Sequence, residues 1–137
     1  MGTQQSLLML LSIILVFVAV TVGISIYNNI TRNTFIKNCV QELTYFKARA
    51  TDYYKTSQYM GGSSFGEYQW NAESLAYYIG IGHNGSNEVE TDYAHYIITI
   101  VDYNVTILAE PKEGSVTTNI QLEYNVLTNE AVITYPE

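Results

Sequence analysis

Residues 7–26 are apolar apart from Ser12, Thr21, Gly23 and Ser25, and no charged side chain occurs before Arg32. Twenty such residues rise roughly 30 Å as a helix, the thickness of the hydrocarbon core of a bilayer. A helix that is apolar all round offers no face to water. It belongs in a membrane or in a bundle with copies of itself.

Helical spacing continues beyond that run. Phe35, Cys39, Leu43, Phe46, Ala50 and Tyr53 recur at steps of three and four, which draws one stripe down a helix. Ile36, Val40 and Tyr54 widen the stripe to a core-facing surface. The first strong stop is Gly61-Gly62, followed by Ser63 and Ser64. The pattern predicts one helix over residues 3–58, apolar all round in its first half and amphipathic in its second. The β-branched residues crowded around Gly23 predict a weak point over residues 16–26.

Residues 61–92 read as a long connection holding one short helix over 71–79, with Asn71 as its N-cap. Gly80, Gly82 and the Asn84-Gly85 pair mark turns. From Tyr93 the period changes to two. Tyr96, Ile98 and Ile100 alternate with Ile97, Thr99 and Val101, apolar on both sides as in a central strand. Val105, Ile107 and Ala109 follow a turn at Asp102-Tyr103-Asn104, and Pro111-Lys112-Glu113-Gly114 reads as a loop. Ile120, Leu122, Tyr124 and Val126 then face one way, and Thr128-Asn129 turns the chain into a last strand over 131–135. The expected fold is α+β: a long N-terminal helix whose second half covers a small four-stranded antiparallel sheet. Its parts are an apolar helix over 1–30, an amphipathic continuation over 31–60 and a β-rich head over 61–137.

Charge sharpens this division. Acidic residues outnumber basic ones 13 to 6, but Arg32, Lys37, Lys47, Arg49 and Lys55 all lie in residues 27–60. Beyond residue 60 only Lys112 opposes the acids, so a mildly basic stalk carries an acidic head. Such a head repels phosphate backbones, which argues against nucleic acid as a partner. Attraction between stalk and head of neighbouring copies would weaken with salt. A secretory signal needs a basic n-region and an apolar stretch of about 7–15 residues. Residues 1–6 contain no Lys or Arg and the apolar run is longer, which predicts a retained segment.

Chemistry-bearing motifs are sparse. Cys39 lies alone on the apolar stripe and reads as a buried thiol, and no His or Cys lies at metal-ligand spacing with it. His83 and His95 have no marked partner, and no phosphate loop or nucleophile elbow is present. The expectation is a protein that is not an enzyme and takes no cofactor or metal. Ser86, Glu88, Glu90 and Asp92 alternate oxygens that suit calcium but lack EF-hand spacing, so they read as a solvated loop. Asn29, Asn84 and Asn104 each begin an N-glycosylation pattern. The 13 tyrosines read as aromatic packing in stalk and head.

A bare apolar helix that continues as the cover of a small antiparallel sheet resembles the type IV pilin architecture. Gly2, directly before the apolar helix, stands where that family's peptidase cuts, so the resemblance makes it the candidate processing site. The family's glutamate at the fifth mature position falls on Leu7 here, and the paired C-terminal cysteines of many pilins are absent. In place of that carboxylate, the polar side chains of Thr3, Gln4, Gln5 and Ser6 are expected to hydrogen-bond between neighbouring helix starts. Leu7 and Leu11 would lie in the filament core. Ala19 and Gly23 form a small-xxx-small pair that lets backbones approach.

The resemblance implies a structural subunit that polymerises into an extracellular filament. Its partners would be further copies of itself, the cytoplasmic membrane before assembly and a pilus-type assembly machinery. The alternative is a single-pass envelope protein whose head binds a partner or joins a secretion complex. Arg32 and Lys37, directly after the apolar run, would by the positive-inside rule put the head in the cytoplasm. The Thr-, Asn- and Tyr-rich head favours the outside.

Overall fold

The computed structural model describes residues 2–79, 86–112 and 119–135. The chain divides into two compact units, Met1–Thr34 and Phe35–Glu137. Helix α1 spans Gly2–Lys55. In the first unit it is regular throughout, and the weak point expected around Gly23 is absent. The backbone satisfies its own hydrogen bonds in a helix, and this compensates for the modest propensity of β-branched residues.

In the second unit the predicted stripe is the buried face. Phe35, Cys39, Leu43, Phe46, Ala50, Tyr53 and Tyr54 are all buried, with Ile36 and Val40 at the margin. The helix ends at Lys55 rather than at residue 58, because the next segment folds back onto its last turn. The N–H groups of Ser63 and Phe65 reach the carbonyls of Tyr53 and Tyr54 at 2.9 and 2.7 Å, and that of Ser64 reaches Thr56 O at 2.9 Å. These bonds occupy carbonyls that a further helical turn would have used. The buried Ser63 hydroxyl donates to Tyr54 O at 3.1 Å and accepts from Gly66 N. Between them, Gln58–Met60 forms a 3-10 turn closed by Gly61 at φ +90°.

Helix α2 spans Ala72–Ile79. Asn71 caps it as expected, its Oδ1 accepting from Ser74 N at 2.8 Å. Leu75, Ala76 and Ile79 face the core.

Five antiparallel strands follow, not four: β1 Glu88–Glu90, β2 Ala94–Val101, β3 Asn104–Pro111, β4 Ile120–Asn125 and β5 Ala131–Thr134, in spatial order β1-β2-β3-β4-β5. The additional strand is β1. Three residues with one apolar position are too short to show a period. Tertiary contacts make it a strand: Val89 is fully buried opposite Tyr96, and Asn87 bonds Ile98 through both its carbonyl and its side-chain amide. The β2–β3 hairpin turns over Asp102 and Tyr103, with Asp102 at φ +53°. Residues 113–118 of the expected 111–114 loop and its continuation, and the glycine turns at 80, 82 and 85, lie outside the described residues.

One face of the sheet carries Val89, Tyr96, Ile98, Val105, Ile107, Ile120, Leu122 and Tyr124 into the core. The ring of Phe46 meets Tyr96 edge-on at 4.8 Å. Each such large side chain, fully buried, contributes about 1.5–3 kcal/mol. The opposite face of β2 is only partly covered, with Ile97 half-buried and Thr99 and Val101 exposed.

Candidate assembly surface

Every described residue from Gly2 to Ile30 is exposed. Large apolar side chains such as Leu7, Leu11, Phe17 and Ile24 keep half or more of their surface open. An isolated exposed leucine is ordinary, but a continuous apolar surface of this extent marks a membrane or protein contact. This is a helix long and apolar enough to cross a membrane.

The few polar groups of the segment are arranged for an apolar setting. Ser12 Oγ donates to Leu8 O at 2.8 Å, and Thr21 Oγ1 lies 3.1 and 2.9 Å from the carbonyls of Phe17 and Val18. A hydroxyl bonded to its own helix needs neither water nor a partner chain. Ser6 behaves likewise, donating to Gly2 O at 2.8 Å. Of the four polar residues expected to link helix starts, Thr3, Gln4 and Gln5 remain exposed on the first turns. Ser6 is exposed as well, but its hydroxyl proton is taken by Gly2 O.

Spacing places Thr3, Leu7, Leu11, Ala19 and Gly23 on one i+4 row, which winds slowly around the helix. Nothing lies within 4 Å of a Cβ added at Gly23. The small residue therefore serves no packing need inside the subunit. Gly2 is equally open.

In the second unit, two of the basic residues expected to meet a neighbour's head have partners within the subunit. Lys47 Nζ lies 5.2 Å above the Tyr124 ring, and the Arg49 guanidinium lies 4.5 Å from the Tyr78 ring while donating to Tyr78 O at 2.9 Å. Arg49 Nε is buried without a hydrogen-bond partner among the described residues. Arg32, Lys37 and Lys55 are exposed.

Glu42, next to Leu43 of the buried stripe, is half-buried and accepts hydrogen bonds from Tyr96 and from Thr91 Oγ1. Cys39 is fully buried beside this group. Burial pushes its thiol pKa up, with the charge of Glu42 adding to the rise and a hydrogen bond with Tyr96 opposing it. Such a thiol is a poor nucleophile. The only early signal for this cluster was one acidic residue adjacent to the apolar stripe.

Glu88 and Glu90, grouped earlier with a solvated loop, stand on β1 and pair across the sheet. Glu88 Oε2 is 3.3 Å from His95 Nε2, and Glu90 Oε1 is 3.0 Å from Lys112 Nζ. Among the described residues no three His, Cys, Asp or Glu side chains converge as metal ligands. Asn29 is exposed on α1, and Asn104 is exposed at the start of β3 with its Oδ1 accepting from Asn125 Nδ2 at 2.8 Å. Asn84 and His83 lie outside the described residues.

No protein-family model, curated protein or solved structure matches the chain.

Proposed function

We propose that this chain is a structural subunit that polymerises through its apolar N-terminal helix into an extracellular filament of the type IV pilus kind. It would reside in the cytoplasmic membrane before assembly and be drawn from it by a pilus-type machinery. The observation that carries the reading is the two-part use of α1. Residues 2–30 are exposed and apolar, while residues 35–54 of the same helix bury one stripe on the sheet. Packing against like helices removes the first surface from water at about 25 cal/mol per Å². Extraction from lipid instead requires close helix–helix contact, which the Ala19/Gly23 row permits.

The second reading, a single-pass membrane-anchored envelope protein, is favoured by Arg32 and Lys37 directly after the apolar run. Electron microscopy of material sheared from cells, with mass spectrometry of the subunit N-terminus, separates the two. Filaments built from this chain support polymerisation, and the N-terminal mass reports cleavage after Gly2. Recovery only from detergent-extracted membranes, without filaments, supports the anchored reading.

A further inference from the structure

A groove of about 580 Å³ opens between Tyr53 of α1, the backbone at Gly61, Gln69, and one side of α2. From α2 it takes two i, i+4 pairs, Glu73 with Tyr77 and Ser74 with Tyr78, which stack along the helix surface. Its volume lies within the range of small-ligand sites.

The three tyrosine rings are not equivalent. Tyr78 carries the Arg49 guanidinium at 4.5 Å and Tyr53 at 5.0 Å. Tyr53 is also stacked on Trp70 at 6.0 Å, and its hydroxyl donates to Gln69 O at 2.5 Å. Both are therefore held by neighbours and form a rigid floor. Tyr77 is 64% exposed and has no ring partner among the described residues, so it presents the free aromatic surface. The Glu73 carboxylate stands one turn before it, with the Gln69 side chain and the Ser74 hydroxyl on the remaining sides.

We infer that this groove is a binding site for a neutral saccharide. A pyranose has an apolar C–H face that lies on an aromatic ring and a rim of hydroxyls that both donate and accept. Tyr77 supplies the ring. Glu73 accepts from two adjacent hydroxyls, the Gln69 side chain can donate and accept, and Ser74, whose hydroxyl bonds to Tyr53, can accept. Among the described residues no Lys or Arg lines the groove, and the carboxylate repels anions, so phosphates and acidic sugars are disfavoured. A quaternary ammonium needs several open ring faces around it. Only one is open here, which favours the sugar. A single ring and a few hydrogen bonds on an open surface give an affinity of about 1 mM, equivalent to roughly 4 kcal/mol.

The test uses the full chain in a polyoxyethylene detergent, which carries neither sugar nor ammonium. Neutral methyl glycosides of glucose, galactose, mannose and N-acetylglucosamine are titrated while amide chemical shifts are followed by NMR. Glucuronate and tetramethylammonium serve as comparison probes. At least one neutral glycoside should shift the amides of Gln69, Ser74 and Tyr77. Tyr77→Ala and Glu73→Gln should each lower its affinity about tenfold or more. Tyr59→Ala, at a fully solvated ring outside the groove lining, should leave it unchanged. Thermal melting of the variants should match the parent, because all three side chains are exposed. No response to any neutral glycoside up to about 50 mM would overturn the inference. So would an unchanged affinity in Tyr77→Ala, or a response to tetramethylammonium or glucuronate alone.

Discussion

The hydroxyl of Tyr96, on β2, donates to Oε2 of Glu42 on α1. Tyr96 is fully buried and Glu42 half-buried, and Thr91 Oγ1 adds a second bond to the same oxygen at 2.9 Å. A hydrogen bond to a charged group contributes about 1.5–3 kcal/mol, and an unpartnered buried hydroxyl costs about 1–3 kcal/mol. The contact therefore fixes where the amphipathic half of α1 lies on the sheet.

Glu42→Ala should destabilise the folded unit by about 2 kcal/mol, since it strands the Tyr96 hydroxyl in the core. Tyr96→Phe should cost less than Glu42→Ala, because Glu42 keeps Thr91 and its access to water. The double variant should be less destabilised than the sum of the two. Denaturant titration of the full chain in micelles measures all three. Strict additivity would show that the two groups are not coupled.

Alkaline pH should weaken the fold. Burial raises the pKa of Cys39, Tyr53 and Tyr96, first among the causes in each case; the bond to Glu42 raises Tyr96 further. The folded state thus holds these protons after the unfolded chain has released them. The stabilising contribution is complete below the unfolded values of 9.0 for the thiol and 10.0 for the phenols, and declines as pH rises through them. Melting temperature should fall from about pH 9 upwards. Tyr96 should still be un-ionised in ultraviolet titration when exposed tyrosines have ionised. An alkaline plateau in stability would contradict the burial assignment.

Gly61 and Gly62 should respond unequally to alanine. A Cβ at Gly62 would sit 2.1 Å from Thr56 O and 2.4 Å from Thr56 Cβ, so the loop that closes α1 must move. At Gly61 the space is open and only the positive φ opposes a side chain. Gly61→Ala should cost about 1–2 kcal/mol, and Gly62→Ala about 3 kcal/mol or more. Equal losses would mean that conformation, not close approach, governs both positions.

Assembly should depend on surfaces that the subunit itself does not use. A Cβ at Gly23 has open space around it and leucine improves helix propensity, so Gly23→Leu should not lower the stability of the folded unit. Under the filament reading it should nevertheless reduce filament yield severalfold by holding neighbouring helices apart. Gln4→Ala combined with Gln5→Ala should reduce yield as well. Normal filament yield by microscopy from both variants would remove these residues from the interface.

The periodic elements were readable because their signal is repeated. The stripe from Phe35 to Tyr53 recurs six times, and each of those side chains is buried. The alternation of Ile120, Leu122, Tyr124 and Val126 likewise gave the inner face of β4. Asn71 announced its cap locally. By contrast, β1 has one apolar residue, and its pairing depends on Asn87 reaching Ile98, eleven positions along the chain. The end of α1 also escaped, because Ser63 and Phe65 return to its last carbonyls from eight or more residues away.

The candidate surfaces divide in the same manner. An apolar run such as residues 7–26 needs no partner to be recognised, since each residue carries its own transfer free energy. Its exposure in the fold agrees with that reading. The groove beside Tyr77 has no sequence signature. Residues 53, 61, 69, 73, 74, 77 and 78 meet only because the chain turns back after Gly62 and brings α2 to the end of α1. Sequence alone thus determined the helix long and apolar enough to cross a membrane, and the stripe that meets the sheet. Tertiary structure decided the fifth strand, the use of Glu42, Lys47 and Arg49 inside the subunit, and the groove. Hydrophobic periodicity is additive along the chain, whereas polar partnerships depend on distances that only the folded chain sets.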